Sequence, residues 1–305
     1  MKKQSKALMI LSILAAFSTS AYAVTGSVST YLEVESNHST ADNTNVLDKI
    51  TAGIGTRLNL SDKTSLMLDV KNSNQDYLES STTGVSSKGR TKINVAVNNT
   101  VIKTEKGAML NLGYGFEVWQ DYTGSTSGRG NAEKLFYKFL PGFTYPITKN
   151  IAITGNYMLA LDKTDTANTG IGEYKGYYEL FTGVRYTGIP KYTLEAQIYN
   201  YAENPTVTEE SERENQLRAS VSTTVAGYKI KPNVKFDLGD YEIKTSTGEF
   251  AGSTRHRNEY ELEISKMFDK VNYTVAYRYC TADYTKSTAA DEYTNFVKLQ
   301  AQYSF

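Results

Sequence analysis

The residue types that usually carry enzymatic chemistry are scarce in this chain. It holds two histidines, His38 and His256, and one cysteine, Cys280. A histidine-assisted hydrolase needs its imidazole beside Ser, Asp or Asn in a defined frame. No HExxH, GxSxG or phosphate-binding glycine loop surrounds either histidine. Metal-ligand spacing is absent as well, since Cys280 has no second cysteine and the histidines are far apart. The reading is therefore of a chain that is not an enzyme and has no cofactor or metal. What remains is charge placed at every second residue, which suits a wall that water and solutes pass rather than a reaction centre.

That polar set alternates with an apolar one. Val28, Thr30, Leu32 and Val34 alternate with Ser29, Tyr31, Glu33 and Glu35; Leu110, Leu112, Tyr114, Phe116 and Val118 alternate with Asn111, Gly113, Gly115, Glu117 and Trp119. A period of two is the signature of a strand with two unlike faces. Fourteen such segments are expected, near residues 26–36, 46–60, 64–78, 90–104, 107–122, 132–147, 151–163, 173–187, 192–203, 214–225, 228–244, 256–268, 271–284 and 292–305. Their connections alternate between tight turns, such as Ser61-Asp62-Lys63 and Ala226-Gly227, and longer polar loops, such as Asn37–Asn45, Ser80–Gly89, Asn204–Arg213 and Ser246–Arg255. Short turns at one end and long loops at the other fit an antiparallel transmembrane barrel. Pro141 and Pro232 predict bulges in their strands.

Composition agrees. The chain has 24 Tyr and 11 Phe against one Trp, and no long uninterrupted apolar run after residue 23. Rings near the ends of the apolar face, among them Phe143, Tyr145, Tyr186, Tyr192, Tyr273 and Tyr303, fit interfacial aromatic belts. Residues 1–23 read as a cleavable export signal: Lys2, Lys3 and Lys6, an apolar run from Ala7 to Phe17, then Ala21-Tyr22-Ala23. Removing those three lysines takes the 33 basic residues to 30 against 33 acidic ones, a balance that excludes a nucleic-acid partner. One cysteine gives no disulfide framework. The expectation is one domain, 24–305, folded as an all-β up-and-down barrel in the outer membrane of a Gram-negative-type bacterium. A secreted sandwich is the soluble alternative, but the second face carries too many charges for a dry core.

With the apolar set facing lipid, the polar set lines the interior: Glu33, Arg57, Asp69, Lys71, Lys92, Glu117, Lys134, Lys138, Glu179, Arg185, Arg218, Lys231, Lys235, Glu261, Glu263, Arg278 and Lys298. Both signs are mixed, so a water-filled lumen is the environment that avoids burying them in hydrocarbon. The acidic loop residues Glu209, Glu210 and Glu212 are candidates for a lid at the mouth. Tyr303 and Phe305 end an alternating last strand in the form read by barrel-insertion machinery, which makes periplasmic chaperones, that machinery and membrane lipid the expected partners.

The segment from Lys134, KLFYKFLPGFTYPITKNIAITGNYMLALDKTDTANTGIGEYKG, resembles the hairpin of strands six and seven in the monomeric fourteen-stranded porins of the OmpG type. The segment YELFTGVRYTGIPKYTLEAQIYNY from Tyr178 resembles the next hairpin, and the tail FVKLQAQYSF the closing strand. Twelve-stranded oligosaccharide porins share this style. The resemblance implies a monomeric channel for ions and small hydrophilic solutes, with a gate built on a histidine pair. His256 stands where one member would sit, but Thr281 to Asp283, where the other would be, holds no histidine. A non-conducting structural or adhesive barrel acting through its loops is the alternative function.

Overall fold

The computed structural model describes residues 25–39, 44–75, 87–124, 130–164, 173–204, 211–239, 241–244, 250–284 and 291–305. The expected export signal lies outside them. The chain forms strands β1 (Thr25–Ser39), β2 (Thr44–Asn59), β3 (Thr64–Gln75), β4 (Ser87–Lys103), β5 (Met109–Gly124), β6 (Gly130–Pro146), β7 (Ile151–Thr164), β8 (Glu173–Tyr186), β9 (Tyr192–Asn204), β10 (Ser211–Val225), β11 (Tyr228–Asp237), β12 (Tyr241–Lys244), β13 (Phe250–Phe268), β14 (Val271–Tyr284) and β15 (Glu292–Ser304). β11 and β12 both lie between β10 and β13, so they are two pieces of one staircase position. The result is a closed antiparallel barrel of 14 strands.

Closure is made by β1 against β15, paired from Ser27↔Ser304 to Ser39↔Glu292. The last residue completes the seam: Gly26 N–H donates to Phe305 O at 3.0 Å, and Phe305 N–H donates back to Gly26 O at 3.0 Å. Among the described residues every strand has a neighbour on both sides, as hydrocarbon requires.

The tight turns are built from hydroxyls and left-handed backbone. Ser61 Oγ accepts from the N–H groups of Lys63 (3.2 Å) and Thr64 (3.0 Å), and Thr148 Oγ1 does the same for Asn150 (3.2 Å) and Ile151 (3.1 Å). These side-chain bonds replace backbone partners that a two- or three-residue reversal leaves unmet. Ala226 and Gly227 both have positive φ, 51° and 78°, the geometry that matches strand twist in a two-residue hairpin.

The strands run further on the loop side than the apolar alternation does. β10 begins at Ser211, β13 at Phe250 and β4 at Ser87, each inside a segment read as loop. A strand of 9–11 residues already crosses the hydrocarbon, and β13 has 19. The remainder is a polar extension that pairs in water, where no apolar face is needed. The bulges expected at Pro141 and Pro232 are not there. Pairing β6–β7 passes from Phe139↔Leu159 to Gly142↔Asn156 without a shift, and β10–β11 passes from Ser220↔Asn233 to Thr223↔Ile230 likewise. Each proline interrupts one ladder, where its missing N–H cannot donate, and the register absorbs the gap. Register shifts fall instead at Glu35/Ser36, Thr100/Ile102 and Tyr241/Ile243.

Alternation sorts the side chains. One face carries exposed apolar groups, among them Leu32, Ile54, Phe116, Leu161, Val184, Ile198, Leu262, Val275 and Leu299. Tyr145, Tyr192, Tyr228, Phe268, Tyr273, Tyr303 and Phe305 form an exposed ring of aromatics beside the tight turns. Exposed large apolar side chains over a whole surface mean a non-aqueous surrounding. The other face turns into the barrel.

Candidate functional site

The register puts the charges expected at the lumen on one alternation of the strands, the one opposite to the exposed apolar groups. The register sets Glu33 opposite Lys298, Lys71 opposite Lys92, Arg185 opposite Glu195, Arg218 opposite Lys235, Lys231 opposite Glu263, and Glu261 opposite Arg278. Arg57, Asp69, Glu117, Lys134, Lys138 and Glu179 share the same alternation on β2, β3, β5, β6 and β8.

Two polar networks organise this face. In the first, Glu117 on β5 accepts from Lys138 Nζ on β6 at 2.5 Å and from the Trp119 indole N–H. Glu117 and Lys138 are both buried, so each charge is viable only with the other in place. Arg90 and Lys92 lie over the Trp119 ring, at 4.3 and 3.7 Å from its centroid, and the Phe136 ring lies tilted against it at 4.6 Å. The second spans β10 to β14. Glu259 is contacted by Lys235 at 2.5 Å, Arg257 at 2.8 Å and Arg278 at 3.3 Å. Asp237 accepts from the backbone N–H of Arg257 at 2.7 Å and from Gln216 Nε2 at 2.9 Å; Gln216 Oε1 in turn accepts from Arg218 Nε at 2.9 Å. Gln216, Asp237 and Glu259 are 2%, 6% and 4% exposed, a continuous chain of satisfied buried polar groups. Arg257 Nε also donates to the Cys280 sulfur at 3.0 Å. Elsewhere Lys298 pairs with Glu33 at 3.6 Å and Arg185 with Glu195 at 2.9 Å.

Inward space persists between these networks. A cavity of about 530 Å³ at the turn end is lined by Arg57, Asn98, Asn111, Asn156, Glu179 and Phe181. A smaller one of about 120 Å³ lies among Gln197, Arg218, Lys231 and Lys235. Among the described residues no cluster of His, Cys, Asp and Glu is placed to hold a metal ion.

The gate candidates fare differently. His256 has the alternation of Tyr260 and Leu262, the outward set, and stands opposite Asp283. From there it does not reach the lumen. His38 is outward too, with its ring 6.3 Å from that of Tyr293. Glu212, expected in a loop, is in β10 opposite Ile243, because the hairpin ladder continues past the membrane. Glu209 and Glu210 lie outside the described residues. Tyr303 and Phe305 stack at 6.2 Å on the outer face, beside the seam.

Apart from Trp119, which the alternation already sets with the polar residues, sequence reasoning missed the inward aromatics. Trp119, Phe136, Tyr177 and Tyr201 form a relay of ring contacts, continued separately by Phe181 and Tyr199 at 4.7 Å, with Arg218 3.7 Å above Tyr199. Their parity, the same as that of Glu117, Lys138 and Glu179, was the available signal. Arg257 and Gln216 were missed because they stand where the apolar alternation begins, inside strands that the structure extends further towards the loops.

A closed barrel with an apolar, ring-bordered outside and a charged inside defines the class: it resembles the barrels of the outer membrane. The toluene transporter TodX of Pseudomonas putida superposes with a TM-score of 0.57 at 8% identity, over 95% of this chain and 91% of that one. A FadL homologue of Pseudomonas aeruginosa gives 0.51 at 8% identity, over 92% and 90%. At that identity the likeness is one of fold. No protein-family model and no curated protein matches the chain.

Proposed function

We propose that the chain is an outer-membrane porin of the OmpG type, a monomeric passive channel for ions and small hydrophilic solutes, saccharides among them. The observation that carries this is the inner face: mixed charges, amides and hydroxyls bordering a cavity of about 530 Å³, inside a barrel whose apolar groups point outward. TodX is a toluene transporter, but here Lys, Arg and Glu side chains line the route, and a hydrocarbon gains nothing by displacing the water around them. The interior offers hydrogen bonds and counter-charges to a polar solute, and it needs no cofactor and no catalysis. Insertion rests on lipid, periplasmic chaperones and the barrel-assembly machinery, and Phe305 supplies the end of the seam strand that such machinery would grip.

The test is single-channel recording on residues 24–305, refolded into a planar bilayer. Discrete open steps whose amplitude scales with salt are expected. A silent bilayer from protein that shows heat-modifiable gel mobility would overturn the channel and favour a structural or adhesive barrel acting through its loops.

A further inference from the structure

All six tight turns lie among the described residues, and their charges are lopsided. Each turn, or the strand residue beside it, carries an exposed lysine: Lys63, Lys106, Lys149, Lys191, Lys229 and Lys270. Within three residues of the turns stand 10 basic residues, these six with Arg57, Lys103, Arg185 and Lys266, against 3 acidic ones, Asp62, Glu105 and Asp269. The rest of residues 24–305 holds 20 basic against 30 acidic residues, so the chain as a whole does not share this positive excess. Some of it is answered locally. Arg185 pairs with Glu195, and the three acids stand next to Lys63, Lys106 and Lys270 in their own turns. Lys149, Lys191 and Lys266 have no acidic residue within two positions along the chain, and none of the eight lysines is in an ion pair among the described residues.

Lys266 shows which way this charge looks. It has the outward alternation of Leu262 and Ile264 and is paired with Tyr228 on β11 and Tyr273 on β14, two exposed rings of the aromatic girdle. Its ammonium lies 4.0 Å from the Tyr228 centroid and 5.1 Å from that of Phe268. Such rings mark the level where hydrocarbon gives way to headgroups. A cation held among them on the outside of the barrel is cut off from the carboxylates of the lumen, so its counter-charge has to come from the bilayer. Lys149, Lys191 and Lys270 lie within four residues of the girdle rings Tyr145, Tyr192 and Phe268. At about 3.3 Å per residue, their stems reach a headgroup layer about 5–7 Å deep. We propose that the turn-end rim is a docking surface for anionic phospholipid headgroups, which Lys266 and the turn lysines gather around the barrel on the periplasmic side, where the short turns of such barrels lie. The rim goes beyond the porin reading and does not depend on it, since the chain needs only to sit in a bilayer.

The experiment uses residues 24–305 refolded into phosphatidylcholine vesicles that carry a trace of spin-labelled phosphatidylglycerol or spin-labelled phosphatidylcholine. Electron paramagnetic resonance reads the fraction of each probe held at the barrel surface, and heat-modifiable gel mobility checks that each variant is folded. Phosphatidylglycerol should be preferred by about threefold at low salt. The preference should fall towards parity in about 1 M sodium chloride, where the screening length is about 3 Å. Lys149→Gln, Lys191→Gln and Lys266→Gln combined should remove most of it. Asp62→Asn, Glu105→Gln and Asp269→Asn combined should raise it. Lys229→Gln should leave it near the wild-type value, because Lys229 shares the inward alternation of Lys231 and Lys235. No preference, a preference that survives high salt, or one that the triple lysine variant keeps overturns the docking surface. A loss from Lys229→Gln as large as that from the triple variant overturns it too, by assigning the effect to overall charge. An acidic periplasmic protein as the occupant would leave the lipids unselected and so count against the proposal. Conductance enters none of these readings: a silent bilayer removes the porin reading alone, and unselected lipids remove the rim alone.

Discussion

Glu259→Gln is the sharpest probe of the inner wall. The Glu259 side chain is 5% exposed and is met by Lys235, Arg257 and Arg278, which keep 25%, 31% and 23% of theirs exposed. Removing the carboxylate charge leaves three cations around a neutral amide whose NH2 can offer them only more donors. Breaking a buried ion pair on one side costs about 3–5 kcal/mol, and because the three cations are partly wet, the low end applies: about 3 kcal/mol. Glu263→Gln is the control. It lies four residues along the same strand on the same face, opposite Lys231, and makes no ion pair among the described residues. Its loss should cost less than about 1 kcal/mol. The assay is a urea titration in phosphatidylcholine vesicles, read by gel mobility. The Glu259→Gln midpoint should fall by about 1 M or more relative to Glu263→Gln, if the slope is a few kcal/mol per molar. Adding Lys235→Gln to Glu259→Gln should recover part of the loss, since one of the stranded cations is then gone. Equal midpoints for the two single variants would refute the reasoning, because the wall charges would then be solvated independently and the network would contribute no stability.

Three further outcomes test other parts of the structure. Leu262→Arg, on the outer face, should cost about 2–4 kcal/mol if it falls near mid-membrane, while Glu261→Arg on the adjacent inward position should fold normally; the reverse order in a vesicle refolding yield would mean that the faces are exchanged. Gly53→Leu should lower stability by about 1–3 kcal/mol, because even a Cβ there falls within the Tyr31 ring that occupies the space, and Tyr31→Ala in the same chain should restore most of it by the same measure. Phe305→Ala should reduce assembly in cells, measured as the heat-modifiable fraction in membranes, yet leave refolding in vitro nearly intact, since its seam bonds to Gly26 are made by backbone.

The strand count and the two unlike faces of the strands were legible in the sequence because hydrocarbon imposes a period of two wherever a strand crosses it. Where that pressure ends, legibility ends. The polar extensions of β4, β10 and β13 pair in water, so nothing in their residues announces a strand, and Glu212 was read as loop for that reason. Aromatic content misled in another way. Tyr and Phe are expected at the outer interfaces, and Tyr145, Tyr192 and Tyr273 are indeed exposed there. The same residue types also fill the interior, where Phe136, Tyr199 and Phe296 are buried among cations: Arg218 lies 3.7 Å above Tyr199, and Arg278 lies 4.1 Å above Phe296. An aromatic ring can serve both places because its edge suits lipid and headgroup while its face suits a cation. Parity assigns the side, but composition alone cannot.

Parity also fails to reveal which charges pair. On β13 the inward row is Arg257, Glu259, Glu261 and Glu263, and the opposing row on β11 is Lys235, Asn233 and Lys231. From sequence the carboxylates look equivalent. The register distinguishes them: Glu259 lies between Lys235 and Cys280, diagonal to Arg278 and next but one to Arg257 on its own strand. Glu261 faces Asn233, whose amide reaches it at 3.1 Å, and Glu263 has Lys231 opposite and no ion pair among the described residues. One residue of sliding would put Val234 or Phe236 in the place of Lys235 and dissolve the cluster.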